Sequence, residues 1–547
     1  MDQEGERRFD AACADVIAQI IDGAVDRDDV EQAKLDACGT YSSPKVPTNG
    51  DILAAAPDDK RDQVEPVLRR KPVRTASGVT PVAVMTSPEP CPHGKCLYCP
   101  GGPASEFSSA QSYTGHEPAA ARAEQNEYDP YGQVTLRLAQ LRHIGHPVEK
   151  VELIVMGGTM TARDPEYQEW FVRRAIQAMN EFDPDDPPAP TEDKSFAQSP
   201  EEETEQSLEA VLAENETATV RNVSTTFETK PDWCGPDQID RMLRLGVTKV
   251  EVGVQTTFEG VHREMHRGHG VQDAIDAGRR LRDAGFKVGF HLMPGQPGTS
   301  VAMAREDARR LFEDSNWRPD YLKIYPTLVV RGTRIYDMWR DGEFDPLDNE
   351  QAAKLVAEIK ANLPPYVRLQ RVQRDIPADF IDAGVWKSNL RQIARERMDE
   401  HGWTCDCVRC REVGMSDDEP KEIDLSGQTY EAGGGTEHFI SFEDADQDLL
   451  IGFLRLRFPG AARRSELEDA AVIRELHVYG NEVGLGKTGE EFQHKGYGKR
   501  LVREAERRAR EAGVSKLVVI AGIGAREYYR EELEYEQDGP YVSTSLD

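Results

Sequence analysis

The 547-residue sequence contains no apolar run of the roughly 18 residues that crossing a bilayer requires. The opening Met1-Asp2-Gln3-Glu4-Gly5-Glu6-Arg7-Arg8 also lacks the basic-then-apolar pattern of a secretory leader, so no membrane association and a cytoplasmic address are expected. Lysine is scarce, 19 residues against 48 arginines, and the formal charge is −31. A dispersed acidic surplus with little lysine fits adaptation to high salt. Such a charge ordinarily disfavours nucleic acid. In molar salt, however, the Debye length shrinks to about 3 Å and local contacts decide, so RNA is not excluded.

Disulfide-type spacing is missing as well. Six of the nine cysteines fall in two tight clusters, 91/96/99 and 405/407/410, while Cys13, Cys38 and Cys234 stand alone. Clustered thiols in a cytoplasmic chain favour metal over disulfides; the isolated three read as small core residues. The length exceeds one ordinary core, so two or three domains are expected.

Residues 1–77 form an expected N-terminal helical and basic region. Val16, Ile17, Ile20 and Ile21 make an apolar helical stripe, followed by Arg69-Arg70-Lys71-Pro72-Val73-Arg74. That reversal of sign in an acidic chain suggests a phosphate-facing segment, with solvated charge as the alternative. Over 78–400, short β-rich runs alternate with amphipathic helical stretches: Val82–Met85, Val151–Met156, Val220–Thr225, Val250–Val254, Lys287–Leu292, Leu322–Tyr325 and Arg368–Val372 are the expected strands. Repeated β-then-α units predict an α/β fold with a parallel sheet or barrel, whose chemistry gathers at the carboxyl ends of strands. Residues 181–216, with thirteen acids and only Lys194 in opposition, read as a disordered acidic insertion.

The run Cys91-Pro92-His93-Gly94-Lys95-Cys96-Leu97-Tyr98-Cys99 follows the first expected strand. Three thiolates can hold three irons of a 4Fe-4S cube and leave the fourth open to a small molecule. That is the wiring of enzymes that cleave S-adenosylmethionine into a radical; half a zinc site is the alternative. Gly157-Gly158-Thr159 follows the second strand, at the matching end. A second cluster, Cys405-Asp406-Cys407-Val408-Arg409-Cys410, lies in an expected linker over 401–430. Its spacing favours zinc, with the fourth ligand open; His291 and His401 are candidates.

Residues 431–547 change character. Three strand-like runs precede Gln493-His494-Lys495-Gly496-Tyr497-Gly498-Lys499-Arg500, then a helix, a strand and a tyrosine-bearing helix. Gln-x-x-Gly-x-Gly opening a helix leaves bare amides as an anion cradle suited to a pyrophosphate. The order of elements resembles the GNAT acetyltransferase fold, which implies coenzyme A.

Taken together, Arg70–Val79, Cys91–Pro103, Ser112–Pro118, Val155–Thr159, Lys323–Thr327, Glu475–Gly480, Gln493–Gly498 and Gly539–Tyr541 resemble the catalytic subunit of Elongator, a radical S-adenosylmethionine tRNA wobble-uridine modifying family. The salt-adapted composition adds a halophilic archaeal source to this expectation. The resemblance implies a partial (β/α) radical SAM barrel followed by a GNAT-type α/β domain. It implies a 4Fe-4S cluster on Cys91, Cys96 and Cys99, with S-adenosylmethionine at the open iron near Gly157, Gly158 and Thr159. Acetyl-CoA would meet Lys150, the backbone of Glu475, Leu476, His477 and Val478, the turn Tyr497, Gly498, Lys499 and Arg500, and Tyr529. Tyr529 or Tyr528 would donate a proton to the leaving thiolate. Zinc would sit on Cys405, Cys407 and Cys410, tRNA on Arg69, Arg70, Lys71 and Arg74, and an external donor would supply electrons. The implied product is 5-carboxymethyluridine at position 34 of tRNA.

Two departures from the family pattern are visible: the first cysteine gap has four residues, and the stretch after Tyr529 (Arg530–Tyr535) is one residue longer and lacks a glycine. A protein lysine N-acetyltransferase is the competing reading, opposed by the intact cysteine cluster.

Overall fold

The computed structural model describes residues 3–69, 75, 78–188, 206–416, 418–479 and 496–546. Four helices open the chain: α1 (Gln3–Ile21), α2 (Val30–Tyr41), α3 (Asn49–Ala55) and α4 (Arg61–Leu68). The expected stripe of α1 is real. Val16, Ile17 and Ile20 pack with Ile52, Leu53, Val64 and Leu68 in a separate small core. Thr48 and Asp51 form a reciprocal cap that starts α3.

The barrel follows as β1 (Thr80–Met85), α5 (Pro118–Gln125), α6 (Pro130–His143), β2 (Lys150–Met156), α7 (Pro165–Glu181), α8 (Leu208–Asn215), β3 (Arg221–Thr229), α9 (Pro236–Arg244), β4 (Lys249–Gln255), α10 (Glu259–Glu264), α11 (Val271–Asp283), β5 (Lys287–Leu292), α12 (Val301–Glu313), β6 (Tyr321–Ile324), α13 (Arg334–Arg340), α14 (Asn349–Lys360), β7 (Arg368–Arg371) and α15 (Leu390–His401). The strands are ordered β1 to β7 as in the sequence, and every neighbouring pair is parallel. Each crossover therefore returns on the same side, and β1 and β7 remain as edges of an open barrel. Apolar residues of both faces of the strands and the covering helices share one core.

After α16 (Val408–Arg411) come β8 (Asp424–Ala432), β9 (Gly435–Asp444), β10 (Leu449–Phe458), β11 (Ala470–Val478), α17 (Tyr497–Ala512), β12 (Lys516–Val519), α18 (Arg526–Leu533), β13 (Glu536–Asp538) and β14 (Tyr541–Ser545). They form a mixed sheet ordered β13-β14-β12-β11-β10-β9-β8, in which β11 and β12 are parallel. Helix α17 packs Leu501, Val502, Ala505 and Ala509 onto this sheet.

Two boundary expectations need correction. The carboxyl end of 181–216 is not a disordered insertion: α8 lies within it, capped by Ser207, with Leu208, Val211 and Leu212 in the barrel core. Nor does the linker run to 430, because β8 begins at Asp424 and pairs along its length with β9.

The barrel and the second sheet meet through a buried charged seam. Arg474 pairs with Asp320 at 2.7 Å and Glu437 at 2.9 Å, Arg455 with Glu475 at 2.8 Å, and Arg457 with Asp283 at 2.5 Å. All three guanidinium groups are essentially inaccessible.

Candidate active site

The loop after β1 carries Cys91, Cys96 and Cys99, which line one cavity with Gly158, Thr159, Glu228, Glu251, Arg267, His291, Tyr325 and Arg371. Its position at the carboxyl ends of the strands is the one the alternating pattern predicts. Gly158 has φ +101°, and a β-carbon there would lie 3.0 Å from Gln111 Cβ and 3.9 Å from Cys91 Sγ. Only a residue without a side chain leaves bare backbone beside that thiol. Thr159 Oγ1 is 3.7 Å from the same sulfur.

Cys99 Sγ receives the Gln111 side-chain amide at 3.1 Å and the Ser112 backbone N–H at 3.2 Å. Cys96 Sγ is 3.2 Å from His93 Nε2 and accepts from Arg267 at 3.5 Å. Donors aimed at sulfur stabilise thiolate and tune a bound cluster. Without a metal, burial pushes the Cys91 thiol up to about 11 and raises Cys99, so metal binding must release their protons. Gly268 brings the α10–α11 connection against this loop: a β-carbon there would lie 2.5 Å from His93 Cβ.

The two cysteine trios differ in spacing. The sulfurs of Cys405, Cys407 and Cys410 all lie within 4.8 Å of one another, whereas those of Cys91, Cys96 and Cys99 do not. Tetrahedral zinc with bonds of 2.3 Å places sulfurs about 3.8 Å apart, which suits the tight trio. The wider trio fits separate irons of a larger cluster. Hydrogen bonds from Cys405 and Cys410 hold the Cys407 thiol well below its usual range. Neither histidine considered as a fourth ligand joins this trio: His291 bonds Glu251, and His401 bonds the Arg397 carbonyl and packs on Trp403.

In the second sheet, the side chains of β11 alternate. Glu475 turns to the seam and is bonded by Tyr321 and Arg455, and His477 packs against Tyr479. Leu476 and Val478 face the core under α17. Gly496 takes a left-handed conformation (φ +79°) immediately before Tyr497, Gly498, Lys499 and Arg500, the first turn of α17. The preceding Gln493, His494 and Lys495 lie outside the described residues. Lys499 pairs with Glu532 on α18 at 2.6 Å, and the Arg500 guanidinium lies 4.3 Å over the Phe442 ring.

The tyrosine pair separates by environment. The Tyr528 hydroxyl reaches the turn, 3.2 Å from where a Gly498 β-carbon would be, while Tyr529 is buried against Tyr535. Burial raises the Tyr529 hydroxyl far above its usual range; burial and then Glu532 raise Tyr528. Lys150 begins β2 beside Arg221, which pairs with Glu527 of α18 at 3.0 Å, so that end of the strand faces the second domain. Arg69 caps α4, donating to the Gly145 carbonyl at 2.5 Å and to Glu65 at 3.1 Å. Arg70, Lys71 and Arg74 lie outside the described residues.

The sequence reading missed Gln111, Glu228, Glu251, Arg267, Arg371 and the cavity role of His291. The signal for two of them was available: Glu251 and His291 are charged or polar residues inside otherwise apolar strands, Val250–Val254 and Phe290–Leu292.

Residues 9–76 match the ELP3 N-terminal domain, 88–311 the Radical SAM superfamily, 319–400 the Radical_SAM C-terminal domain and 404–535 the Acetyltransferase (GNAT) family. These place S-adenosylmethionine and a 4Fe-4S cluster with the first domain and acetyl-CoA with the second. The tRNA uridine(34) acetyltransferase of Methanocaldococcus jannaschii is 46% identical over 92% of this chain and 91% of its own length. Elongator complex protein 3 of Homo sapiens is 40% identical over 97% of this chain and 96% of its own. The solved Methanocaldococcus infernus Elp3 lacking residues 1–46 has a TM-score of 0.73 at 41% identity, covering 86% of this chain and 99% of that one. With a radical SAM barrel, a GNAT sheet and relatives of this identity along nearly its whole length, the chain belongs to the family of Elongator complex protein 3 and the archaeal tRNA uridine(34) acetyltransferases.

Proposed function

We propose that this protein is a cytoplasmic enzyme that installs a carboxymethyl group on C5 of uridine 34 in tRNA, using S-adenosylmethionine and acetyl-CoA. The observation that carries this reading is the widely spaced thiol trio beside the bare Gly157–Thr159 backbone, in a chain that also presents an amide turn for coenzyme A. When bound, the cluster supplies the electron, delivered by an external donor, that turns S-adenosylmethionine into a radical able to take hydrogen from the acetyl methyl group.

The residues have distinct tasks. Cys91, Cys96 and Cys99 hold the cluster, while Gln111, Ser112 and Arg267 donate to their sulfurs. Gly157, Gly158 and Thr159 offer backbone to S-adenosylmethionine. The backbone of Glu475–Val478 and the turn Tyr497–Arg500 hold acetyl-CoA, with Lys150 on the barrel side. Tyr528 is the better placed of the two tyrosines to give a proton to thiolate, with Tyr529 supporting its ring from the core. Cys405, Cys407 and Cys410 hold structural zinc. Arg70, Lys71 and Arg74 meet tRNA phosphates, and Arg69 anchors their segment to the barrel.

Nucleoside mass spectrometry tests this directly. Wild-type protein with cluster, tRNA and both cosubstrates is expected to yield carboxymethyluridine, and Cys96→Ala none, with tRNA affinity retained. Normal modification by Cys96→Ala overturns the reading. Acetylated lysine on a protein substrate without any altered uridine would favour amine acetylation instead.

A further inference from the structure

The proposed reaction leaves a chemical task unassigned: after the acetyl carbon joins the uridine, its thioester must be hydrolysed. The barrel lumen holds a group suited to that step. Glu251, in the middle of β4, is almost wholly buried, and its carboxylate lies 3.1 Å from His291 Nε2 on β5. Although burial opposes its charge, Lys323 and then Lys249 hold Glu251 well below the usual carboxylate range. An ionised carboxylate offers only acceptors, so Nε2 must carry the proton and donate it. Nδ1 is then the free base of the ring, and it has no hydrogen-bond partner among the described residues. The His291 ring sits 5.4 Å from Tyr325, edge to face, and both residues line the cavity that contains the three cysteines.

Glu228, Glu251 and His291 also bring their ligand atoms within 4.8 Å of one another, as a cation site would. Here the cation is internal: Lys323 Nζ binds Glu228 at 3.1 Å and also Glu251. The lysine fills the place of an ion and fixes the carboxylate that orients the imidazole. Orientation of a histidine by a buried acid is what general-base catalysis on acyl compounds requires.

We propose that His291, oriented by Glu251, is the general base that hydrolyses the nucleoside-bound thioester in the radical cavity. This rests on the carboxymethylation reading above. Water gives its proton to His291 Nδ1 as its oxygen attacks the thioester carbonyl. The carbon–sulfur bond then breaks, coenzyme A leaves as a thiolate that takes the Tyr528 proton assigned above, the new carboxylic acid ionises, and the proton held by the imidazolium passes through solvent to restore the tyrosine. No oxidant or reductant enters. His291 is the catalytic residue of this step; Glu251 and Lys323 position it.

His291→Gln, holding its cluster, is tested in single turnover with tRNA, S-adenosylmethionine and acetyl-CoA. The expected result is 5′-deoxyadenosine at the wild-type level, a uridine adduct still bearing coenzyme A, and conversion of that adduct slowed about 100-fold or more, with partial rescue by added imidazole. Carboxymethyluridine at the wild-type rate overturns the proposal. So does a loss of 5′-deoxyadenosine, which would assign His291 to S-adenosylmethionine binding. A wild-type control without any modified uridine would instead remove the underlying reading. A second measurement needs neither turnover nor a variant. Nitrogen-15 NMR of histidine-labelled wild-type protein should show the neutral His291 ring as its Nε2-protonated tautomer; the Nδ1-protonated tautomer overturns the proposal even if His291→Gln fails to fold.

Discussion

His262 donates from Nε2 to the Thr256 carbonyl at 3.0 Å and keeps its buried Nδ1 without a hydrogen-bond partner. Adding a proton to Nδ1 would bury a charge with no acceptor, close to the cationic Arg267. Burial first, and Arg267 second, lower this imidazole to about 4. An unfolded histidine titrates near pH 6.5. Below that pH the unfolded chain binds a proton that the folded chain refuses, so stability falls as pH drops from 6.5 toward 4. At pH 5 the loss from this one residue is about 2 kcal/mol. His262→Gln should therefore shrink the difference between urea midpoints measured at pH 7.5 and pH 5; an unchanged difference would show that the proton is accommodated. The same scale explains what the sequence made legible. The cysteine trio could be read because its spacing is local. Gln111 and Arg267 could not, because they reach the cavity from a loop and from the α10–α11 connection, far apart in the chain.

Among elements, the barrel strands were readable because apolar, β-branched runs survive any context; each observed strand lies within a few residues of its expected limits. Helix α8 was obscured by the acidic composition of the window around it, although Leu208, Val211 and Leu212 keep helical spacing. Strand β8 was equally hidden. Most of its residues face water at the sheet edge, and only Tyr430 and Ala432 are buried, so no alternating pattern appears. The missing glycine after Tyr529 is resolved by Glu534, which itself adopts the left-handed cap (φ 61°) of α18. Helix α8 and α18 are also joined. Glu216, which follows α8, pairs with Arg526 at 3.3 Å and with Arg530, on either side of Tyr528 and Tyr529. All the carboxylate's partners sit on one short helix, so Glu216→Gln should loosen that helix selectively. Amide exchange in 526–533 is expected to quicken several-fold while α17 is unaffected. Equal exchange in both proteins would mean that packing of Tyr529 and the Arg221–Glu527 and Lys499–Glu532 pairs suffice to hold α18.

Whole-molecule behaviour is set by the seam, where buried ion pairs run through the apolar contact that joins the barrel core to Phe439, Phe453, Val472 and Tyr541 of the second sheet. Asp320, at the start of the β6 segment, receives Arg474 at 2.7 Å and lies 3.6 Å from Arg455, while its other oxygen accepts the Val288 N–H at 2.8 Å. One carboxylate thus ties β5 and β6 of the barrel to β10 and β11 of the second sheet. Burial disfavours its charge, but Arg474 and then Arg455 overcome that and hold it well below the usual aspartate range. Its contribution is present above the unfolded value of about 3.9 and disappears as pH falls below it. Replacing it by asparagine keeps the shape yet leaves two buried guanidinium groups short of an anion, and breaking a buried pair in this way costs about 3–5 kcal/mol. Glu437 and Glu475 still serve Arg474 and Arg455, and the second sheet keeps its separate core under α17. Calorimetry of Asp320→Asn should therefore show the single wild-type transition split, with the barrel and the acetyltransferase sheet melting separately. The variant should also lose part of the acid limb of the stability profile below pH 4. A single transition at the wild-type temperature would show that the two domains are joined by their apolar contacts and the Arg457–Asp283 pair, with Asp320 dispensable to the union.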